Sequence, residues 1–263
     1  EIQFCRYVSE LRRRGATRVS LLCKAPLKPL LATLAGLDAL YVDGVHAKDV
    51  PAHDYWALVL SLPLHCGTRL ETIPGELPYL RATEERLARW RPRLPDGLMR
   101  VGLAWKGSAL HDNDTNRSLP GLKTLARLWN IPGVAFVSLQ KGQGEDEAAA
   151  PPEGQPLVDL GRDIGDFGDT AAIVAQLDLV ISVDTAIAHV AGALGKPCWV
   201  MLPFCWSDWR WLRDRSDCPW YPGVARLFRQ TTPGDWDPVV AQVAAALASR
   251  VESRNCREGH SGE

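Results

Sequence analysis

Short apolar runs alternate with amphipathic segments along most of the chain. Runs of strand length occur at 18–23, 39–44 and 55–63, and segments with apolar residues at helical spacing occur at 2–14 and 26–34. Apolar runs that are bounded by turn residues and separated by helical patterns are typical of parallel strands covered by helices. The first part of the chain therefore predicts an α/β unit.

The same alternation starts again after residues 80–99, a charged segment that ends in Pro and Gly and predicts a linker helix with a hinge. The pattern then predicts strands at 99–105, 134–140, 156–161 and 178–183 and helices at 122–130, 169–176 and 235–251. We therefore expect two α/β halves with a cleft between them, at 1–95 and 96–251, and a disordered tail at 252–263. Because an α/β unit normally opens on a strand and this chain opens on a helical pattern, we also expect at least one strand upstream of Glu1.

Composition narrows the class of protein. With 46% hydrophobic residues and a net charge of −1 over 263 residues, the chain does not have the basic excess of a nucleic-acid or membrane-surface binder. Its longest apolar runs have strand length, so we expect no transmembrane helix. The seven cysteines include no CxxC pair and the six histidines are dispersed. These features favour a reduced, cytoplasmic setting without a metal site or cofactor.

The stretch 178–202 predicts a buried strand, an acidic turn, a helix of small residues and a second strand. Asp184 and Thr185 stand at the end of the first strand, and between Thr185 and Gly195 the helix has no charged residue and only His189 as a polar one. A helix start with small side chains is a favourable place for a phosphate, here at Thr185 and Ala186. Alternatively, Asp184 is only the N-cap of a packed helix, and His189 is a packing residue.

A polar loop follows the strand at 99–105. Lys106 and Arg117 provide cations for a diphosphate, and Gly107 and Ser108 offer backbone or hydroxyl donors. Ligands of open α/β sheets sit beyond the carboxyl ends of the strands, where Gln140 ends the next predicted strand. The alternative interpretation is a solvated surface loop.

The run at 203–222 holds four of the ten tryptophans. Its aromatic rings could line the mouth of the cleft or a nucleotide base, or they could pack between the two halves. The sequence lacks GxGxxG after a strand, GxxxxGK[ST], HExxH and GxSxG, which argues against several common enzyme classes.

Together these segments resemble the heptosyltransferase-like glycosyltransferases of the GT-B class, the glycosyltransferase family 9 type. The likeness is nearest to the bacterial branch in which such a domain follows tetratricopeptide repeats, and it covers about residues 2–247. It rests on IQFCRYV, LSLP with ETIP, VGLAWKGS with NRSLP, DTAAIVAQLDLVISVDTAIAHVAGALGKPCWVML, and DWRWLRDRSDCPWYP.

The resemblance implies a GT-B fold of two Rossmann-like domains with parallel sheets facing across a cleft, the N-terminal one lacking its first strand. It implies transfer of a sugar from a nucleotide-diphosphate sugar to a glycan, lipid-linked or protein acceptor, with inversion and without a metal. The donor phosphates would lie at Asp184, Thr185 and Ala186, where Ala replaces the Gly of the family, and near Arg117 and Ser118.

The resemblance also shows what this sequence lacks. A Gly-rich loop ending in Asp, the proposed base of the family, would come directly before residue 1, and Glu1 and His65 are the only nearby substitutes. The catalytic residue is therefore unknown. A non-catalytic GT-B relic beside a repeat scaffold is the alternative, and a Gly-rich loop ending in Asp upstream would favour the enzyme. A sugar-nucleotide epimerase would need acid and base residues that the sequence does not identify.

Overall fold

The computed structural model describes residues 1–259, and these form two parallel β-sheets. The smaller sheet pairs β1 (Ser20–Cys23) with β2 (Ala39–Val42). The strands of the larger sheet are β3 (Met99–Ala104), β4 (Val134–Ser138), β5 (Val158–Asp159), β6 (Leu179–Val183), β7 (Cys198–Leu202) and β8 (Ala225–Arg229). They lie in the order β5-β4-β3-β6-β7-β8, all neighbours parallel.

Most of the helices are short and connect the strands. They are α1 (Tyr7–Arg13), α2 (Lys28–Leu31), α3 (Leu62–His65), α4 (Glu84–Trp90), α5 (Asp114–Arg117), α6 (Glu145–Ala149), α7 (Phe167–Val174), α8 (Ala186–Ala193) and α9 (Asp237–Gly259). The segment Leu122–Leu128 is a 3₁₀ helix where the sequence pattern predicts an ordinary helix. Within residues 1–259, no helix combines the length and the apolar character needed to cross a bilayer.

The central strands of the larger sheet are buried on both faces. Successive side chains of a strand point to opposite faces, and in β7 Cys198, Val200 and Leu202 pack on one face while Trp199 and Met201 pack on the other. The first face meets α7, α8 and the N-terminal part of the chain. The second face meets α9 and the 3₁₀ helix. This double burial explains why the strands read as continuous apolar runs.

A single hydrophobic cluster joins the two sheets. Its buried members from the first 94 residues include Phe4, Leu30 and Trp90, and its members from the larger sheet's side include Ile173 and Tyr221. The N-terminal segment is thus packed directly against α7, α8 and the Trp-rich segment 203–222. The smaller sheet lies within 1–95 and the larger within 96–251.

Two further sequence expectations differ from the structure, and one strand was missed. Residues 55–63 do not form a buried strand: Tyr55 is 93% exposed, and the segment ends in a 3₁₀ turn (Val59–Ser61) before α3. An apolar run alone cannot distinguish a buried strand from an exposed segment. The tail expected at 252–263 is helical as far as Gly259, because α9 continues to that residue, and 260–263 lie outside the described residues. Strand β8 was not predicted.

The architecture is that of the predicted fold class, α/β with parallel sheets. The predicted strands at 18–23, 39–44, 99–105 and 134–140 correspond to β1, β2, β3 and β4. The predicted charged linker helix corresponds to α4, which packs on α7.

Candidate functional site

A cavity of about 530 Å³ lies between the N-terminal segment and the carboxyl end of β6. The N-terminal part contributes Glu1, Ile2, Gln3, Lys24 and Leu27 to its wall. The larger sheet and its loops contribute His111, Asn113, Arg117, Phe167, Asp184, Thr185, Ala186, His189, Trp206, Asp208 and Arg210. The structure therefore brings together five of the predicted site residues, which are Arg117, Asp184, Thr185, Ala186 and His189.

The junction between β6 and α8 opens directly onto this cavity. Thr185 is the N-cap of α8, because its Oγ1 accepts a hydrogen bond from the Ile187 N–H at 3.3 Å. Asp184, considered as an N-cap from sequence, does not fill that role. Ala186 is exposed and keeps the first turn of the helix accessible. The unpaired N–H groups and the positive end of the helix dipole thus lie at the cavity wall.

Arg117 is held against the same junction. Its Nη1 donates to the Asp184 carbonyl at 2.9 Å, and its Nε donates to Asp114 Oδ1 at 3.3 Å. A Cβ on Gly107 would lie 2.5 Å from Arg117 Nη2, so the close approach of the guanidinium requires glycine at that position. The guanidinium therefore adds a fixed positive charge beside the start of α8.

The other predicted loop residues serve to shape the loop. Ser118 Oγ accepts from the Gly107 N–H and donates to Asp114 Oδ1, both at 2.8 Å. Lys106 pairs with Glu147 at 3.1 Å and does not line the cavity, and Ser108 accepts from the Leu110 N–H at 3.3 Å.

Gln140 is buried and holds the loop from the neighbouring strand end. Its Oε1 accepts from the backbone N–H groups of Trp105 and Lys106, and its Nε2 donates to the carbonyls of Lys106 and Gln143. With its amide fully used by backbone, Gln140 positions the loop of Lys106 and does not reach the cavity.

Asp184 and His189 both sit in surroundings that disfavour their charged forms. Burial raises the pKa of the Asp184 carboxyl, although the nearby Trp211 indole and the Arg117 guanidinium oppose the rise. Burial lowers the pKa of His189 to about 3, and the Arg210 guanidinium adds to that lowering. His189 is therefore neutral at physiological pH.

His189 is both a packing residue and a residue of the cavity wall, which are the two roles considered from the sequence. Its ring stacks on Trp211 with centroids 5.3 Å apart, and its Nδ1 is hydrogen-bonded to the Tyr221 hydroxyl at 2.9 Å. The same residue lines the cavity. Packing thus fixes the ring in one orientation at the cavity wall.

The Trp-rich segment 203–222 divides between packing and the cavity mouth. Trp211 and Trp220 are buried, whereas Trp206 is 77% exposed and lines the cavity. Asp208 and Arg210 of this segment also line the cavity and pair through Arg210 Nε and Asp208 Oδ1 at 2.6 Å. The ion pair was not predicted from the sequence. Its only indication there is the tripeptide DWR at 208–210.

The two candidate bases differ in placement. Glu1 lines the cavity, whereas His65 ends α3 as an exposed residue outside the cavity wall. Gln3, which sequence reasoning did not single out, is a buried member of the wall. Among residues 1–259, no three His, Cys, Asp or Glu side chains come together in a way that could hold a metal ion.

A second cavity, of about 620 Å³, lies beside the first. Its wall includes His111, Asp114, Ser118, Gln143 and Trp236. His111 lines both cavities, so the polar loop 106–118 separates them. Ser118, predicted as a donor-site residue, faces this second cavity.

A family model places the site in context. The model for glycosyltransferase family 9 (heptosyltransferase) matches residues 144–199, which include β6, α8 and the start of β7. The match therefore contains Asp184, Thr185, Ala186 and His189 of the cavity wall. Protein FlbA of Caulobacter vibrioides is 32% identical over 209 residues, which are 74% of this chain and 33% of that protein. The chain spans about a third of the length of this relative.

Solved structures share the fold. The E. coli ADP-heptose LPS heptosyltransferase II has a TM-score of 0.63 at 13% identity, with 97% of this chain and 96% of the other covered. The family 9 glycosyltransferase of Veillonella parvula has a TM-score of 0.58 at 13% identity, with 87% and 82% covered. E. coli heptosyltransferase WaaC with ADP has a TM-score of 0.55 at 11% identity, with 96% and 95% covered. The chain thus has the GT-B-type α/β fold of these enzymes, and its residues 144–199 match the family 9 model.

Proposed function

We propose that this domain transfers a sugar from a nucleotide-diphosphate sugar to a hydroxyl group of a glycan, lipid-linked or protein acceptor. The observation that carries the proposal is the cavity at the β6–α8 junction, where a helix start and the Arg117 guanidinium supply positive charge. This junction lies inside the segment that matches family 9. The heptosyltransferases with the same fold support a sugar transferase.

The donor diphosphate binds at the start of α8. The exposed Ala186 leaves room for phosphate oxygens to reach the free N–H groups of the first turn. Arg117 neutralises the charge that develops on the leaving diphosphate. Because Asp184 O and Asp114 already hold the guanidinium, it needs little reorganisation when the donor binds. In this mechanism the departure of the diphosphate needs no metal ion.

Binding without transfer is the second candidate. Transfer needs a base, and two carboxylates of the wall are poorly suited to that role. Asp208 is paired with Arg210, and burial raises the pKa of Asp184, which favours its neutral form. A transfer assay distinguishes the two functions. Release of nucleoside diphosphate that depends on an acceptor and persists in EDTA supports the metal-independent enzyme, and the anomeric configuration of the product by NMR tests inversion.

The donor site is tested by calorimetry with UDP-, ADP- and GDP-sugars. We expect Arg117→Ala to weaken binding by about 10- to 100-fold, because a hydrogen bond to a charged group contributes about 1.5–3 kcal/mol. Asp184→Ala should weaken binding as well, because the cavity wall changes beside the guanidinium.

Arg127→Ala is the matched control for these variants. Arg127 is an exposed arginine of the same domain that pairs with Asp237 at 3.2 Å, outside the cavity wall. Its variant should bind like the parent. A parent that binds no nucleotide, or Arg117 and Asp184 variants that bind as tightly as the parent, would contradict the site.

A further inference from the structure

Gln3 is a buried side chain whose amide has no partner. The residue is 2% exposed, and neither its Oε1 nor its Nε2 makes a hydrogen bond to any described part of the chain. Buried polar atoms in folded proteins are nearly always paired, so an unpaired amide calls for a specific explanation. Gln3 belongs to the wall of the cavity, but its amide atoms are enclosed, so its side chain must turn toward the cavity for a bound molecule to supply the missing partners.

The backbone around Gln3 is held in place by hydrogen bonds and packing. Arg6 Nε donates to the Gln3 carbonyl at 2.8 Å, and Arg6 Nη1 donates to the carbonyls of Trp220 at 2.6 Å and Pro74 at 3.0 Å. The next residue, Phe4, is fully buried and packs edge-on against Trp220 with centroids 5.3 Å apart. The backbone that carries the amide is therefore fixed beside the cavity before any ligand arrives.

The chemistry of the amide restricts the ligand. Oε1 needs a donor and Nε2 needs an acceptor. An ionised diphosphate offers acceptors only, so it leaves Oε1 unpaired. Sugar hydroxyl groups both donate and accept, so a pair of them can satisfy both atoms.

The position of Gln3 agrees with this chemistry. Gln3 comes from the N-terminal part of the chain, whereas Arg117 and the start of α8 come from the larger sheet. The N-terminal part of the wall also carries the charged residues Glu1 and Lys24, and Gln3 is the neutral amide among them. We propose that the Gln3 carboxamide binds hydroxyl groups of the sugar carried by the donor. This inference rests on the proposed function, because it assumes that the diphosphate lies at α8.

The test compares a nucleoside diphosphate with its sugar conjugate. Calorimetry first identifies which of UDP-glucose, ADP-glucose or GDP-mannose binds the parent, and the Gln3→Leu variant is then titrated with that conjugate and with the corresponding diphosphate. We expect the variant to bind the diphosphate like the parent and the conjugate about tenfold more weakly, as for the loss of one or two neutral hydrogen bonds. Gln3→Glu keeps the size and the acceptors but not the donor, and it should also bind the conjugate more weakly.

Thermal unfolding shows whether the variants remain folded. Because Gln3→Leu removes an unpaired buried amide, its Tm should equal or exceed that of the parent. Gln155→Leu is the matched control: Gln155 is buried, its Oε1 also lacks a partner in the described chain, and it lies outside the cavity wall. That variant should bind both compounds like the parent.

The outcomes separate the two proposals. If Gln3→Leu loses affinity equally for the diphosphate and for the conjugate, the amide recognises the nucleotide and the inference is wrong. It is equally wrong if the variant binds both compounds like the parent, or if only the KM for the acceptor rises. A parent that binds none of the diphosphates overturns the proposed function itself, and the Gln3 inference with it.

Discussion

His189 illustrates how a single residue of this cavity is tuned by its neighbours. Trp211 covers one face of its ring, Tyr221 binds its Nδ1, and burial keeps it neutral. A neutral histidine is a hydrogen-bonding group of fixed orientation, not a cation. The positive charge at the site therefore comes from the start of α8 and from Lys24, Arg117 and Arg210 of the cavity wall.

The lowered pKa of His189 makes acid stability a test of its surroundings. An unfolded chain protonates this histidine below about pH 6.5, whereas the folded chain does so only near pH 3. Between these values the unfolded state binds more protons, so stability falls by about 1.4 kcal/mol for each pH unit of acidification. In urea unfolding measured from pH 7 to pH 4, the free energy of unfolding of His189→Gln should fall less steeply with acidification than that of the parent. A slope equal to that of the parent, or an equal effect of the exposed His53→Gln, would contradict this explanation.

The sequence predicted those residues of the cavity wall that follow a strand in a recognisable pattern. Arg117, Asp184, Thr185, Ala186 and His189 reach the cavity because β3 and β6 are neighbours in the sheet and their carboxyl ends meet. The role of Gln3 could not be predicted in this way. An amide without a partner is a property of tertiary packing, and no local pattern records it.

At the scale of elements, helix α4 is joined to α7 by a cluster of charged and polar side chains. Arg86 Nη1 donates to Asp166 Oδ1 at 2.6 Å and to Asp169 Oδ1 at 2.7 Å, and Trp90 Nε1 donates to Asp169 Oδ1 at 3.1 Å. Asp166 is also the N-cap of α7. Burial alone would raise the pKa of Asp169, but the hydrogen bonds from Trp90 and the Gly165 N–H and the charge of Arg86 hold it below its usual value.

Asp169→Asn should destabilise the protein by about 1.5–3 kcal/mol, because a neutral amide replaces the carboxylate that accepts hydrogen bonds from Arg86, Trp90 and the Gly165 N–H. The side chain of Asp169 is only 4% exposed, so solvent cannot replace the lost charge. Urea unfolding of the variant and of Asp163→Asn measures the effect. Asp163 pairs with Arg93 in a more exposed setting, so Asp163→Asn should destabilise the protein much less than Asp169→Asn. Equal losses in the two variants would show that the α4–α7 cluster is no stronger than a surface pair.

Apolar runs in the sequence predicted the strands of both sheets, apart from β8 of the larger one. Strands β3, β4 and β6 are covered on both faces, which gives them long apolar runs. The run at 55–63 is just as apolar, but it joins neither sheet and leaves Tyr55 and Trp56 exposed. What separates the two cases is the presence of a neighbouring strand, which is a long-range property.

At the scale of the whole molecule, the two α/β parts share one core. Phe4, Leu30 and Trp90 belong to the same buried cluster as Ile173 and Tyr221. Arg6 adds polar links, since its guanidinium binds the carbonyls of Pro74 and Trp220. Neither part can separate without exposing apolar surface of the other.

The shared core predicts cooperative unfolding of the described chain. Far-ultraviolet circular dichroism and tryptophan fluorescence should report a single, coincident transition in urea, because neither part retains a complete core alone. Two transitions, with the fluorescence change preceding the loss of helix and strand signal, would show instead that the parts are stable independently.

The cavity wall draws on residues 1–27 and on residues 111–210, so its two sides are far apart along the chain. Loops of that length close slowly, and contacts between distant residues form late in folding. During refolding, helix signal should therefore recover before nucleotide binding does. Binding to this cavity is a measure of complete folding, since no local fragment of the chain contains both of its walls.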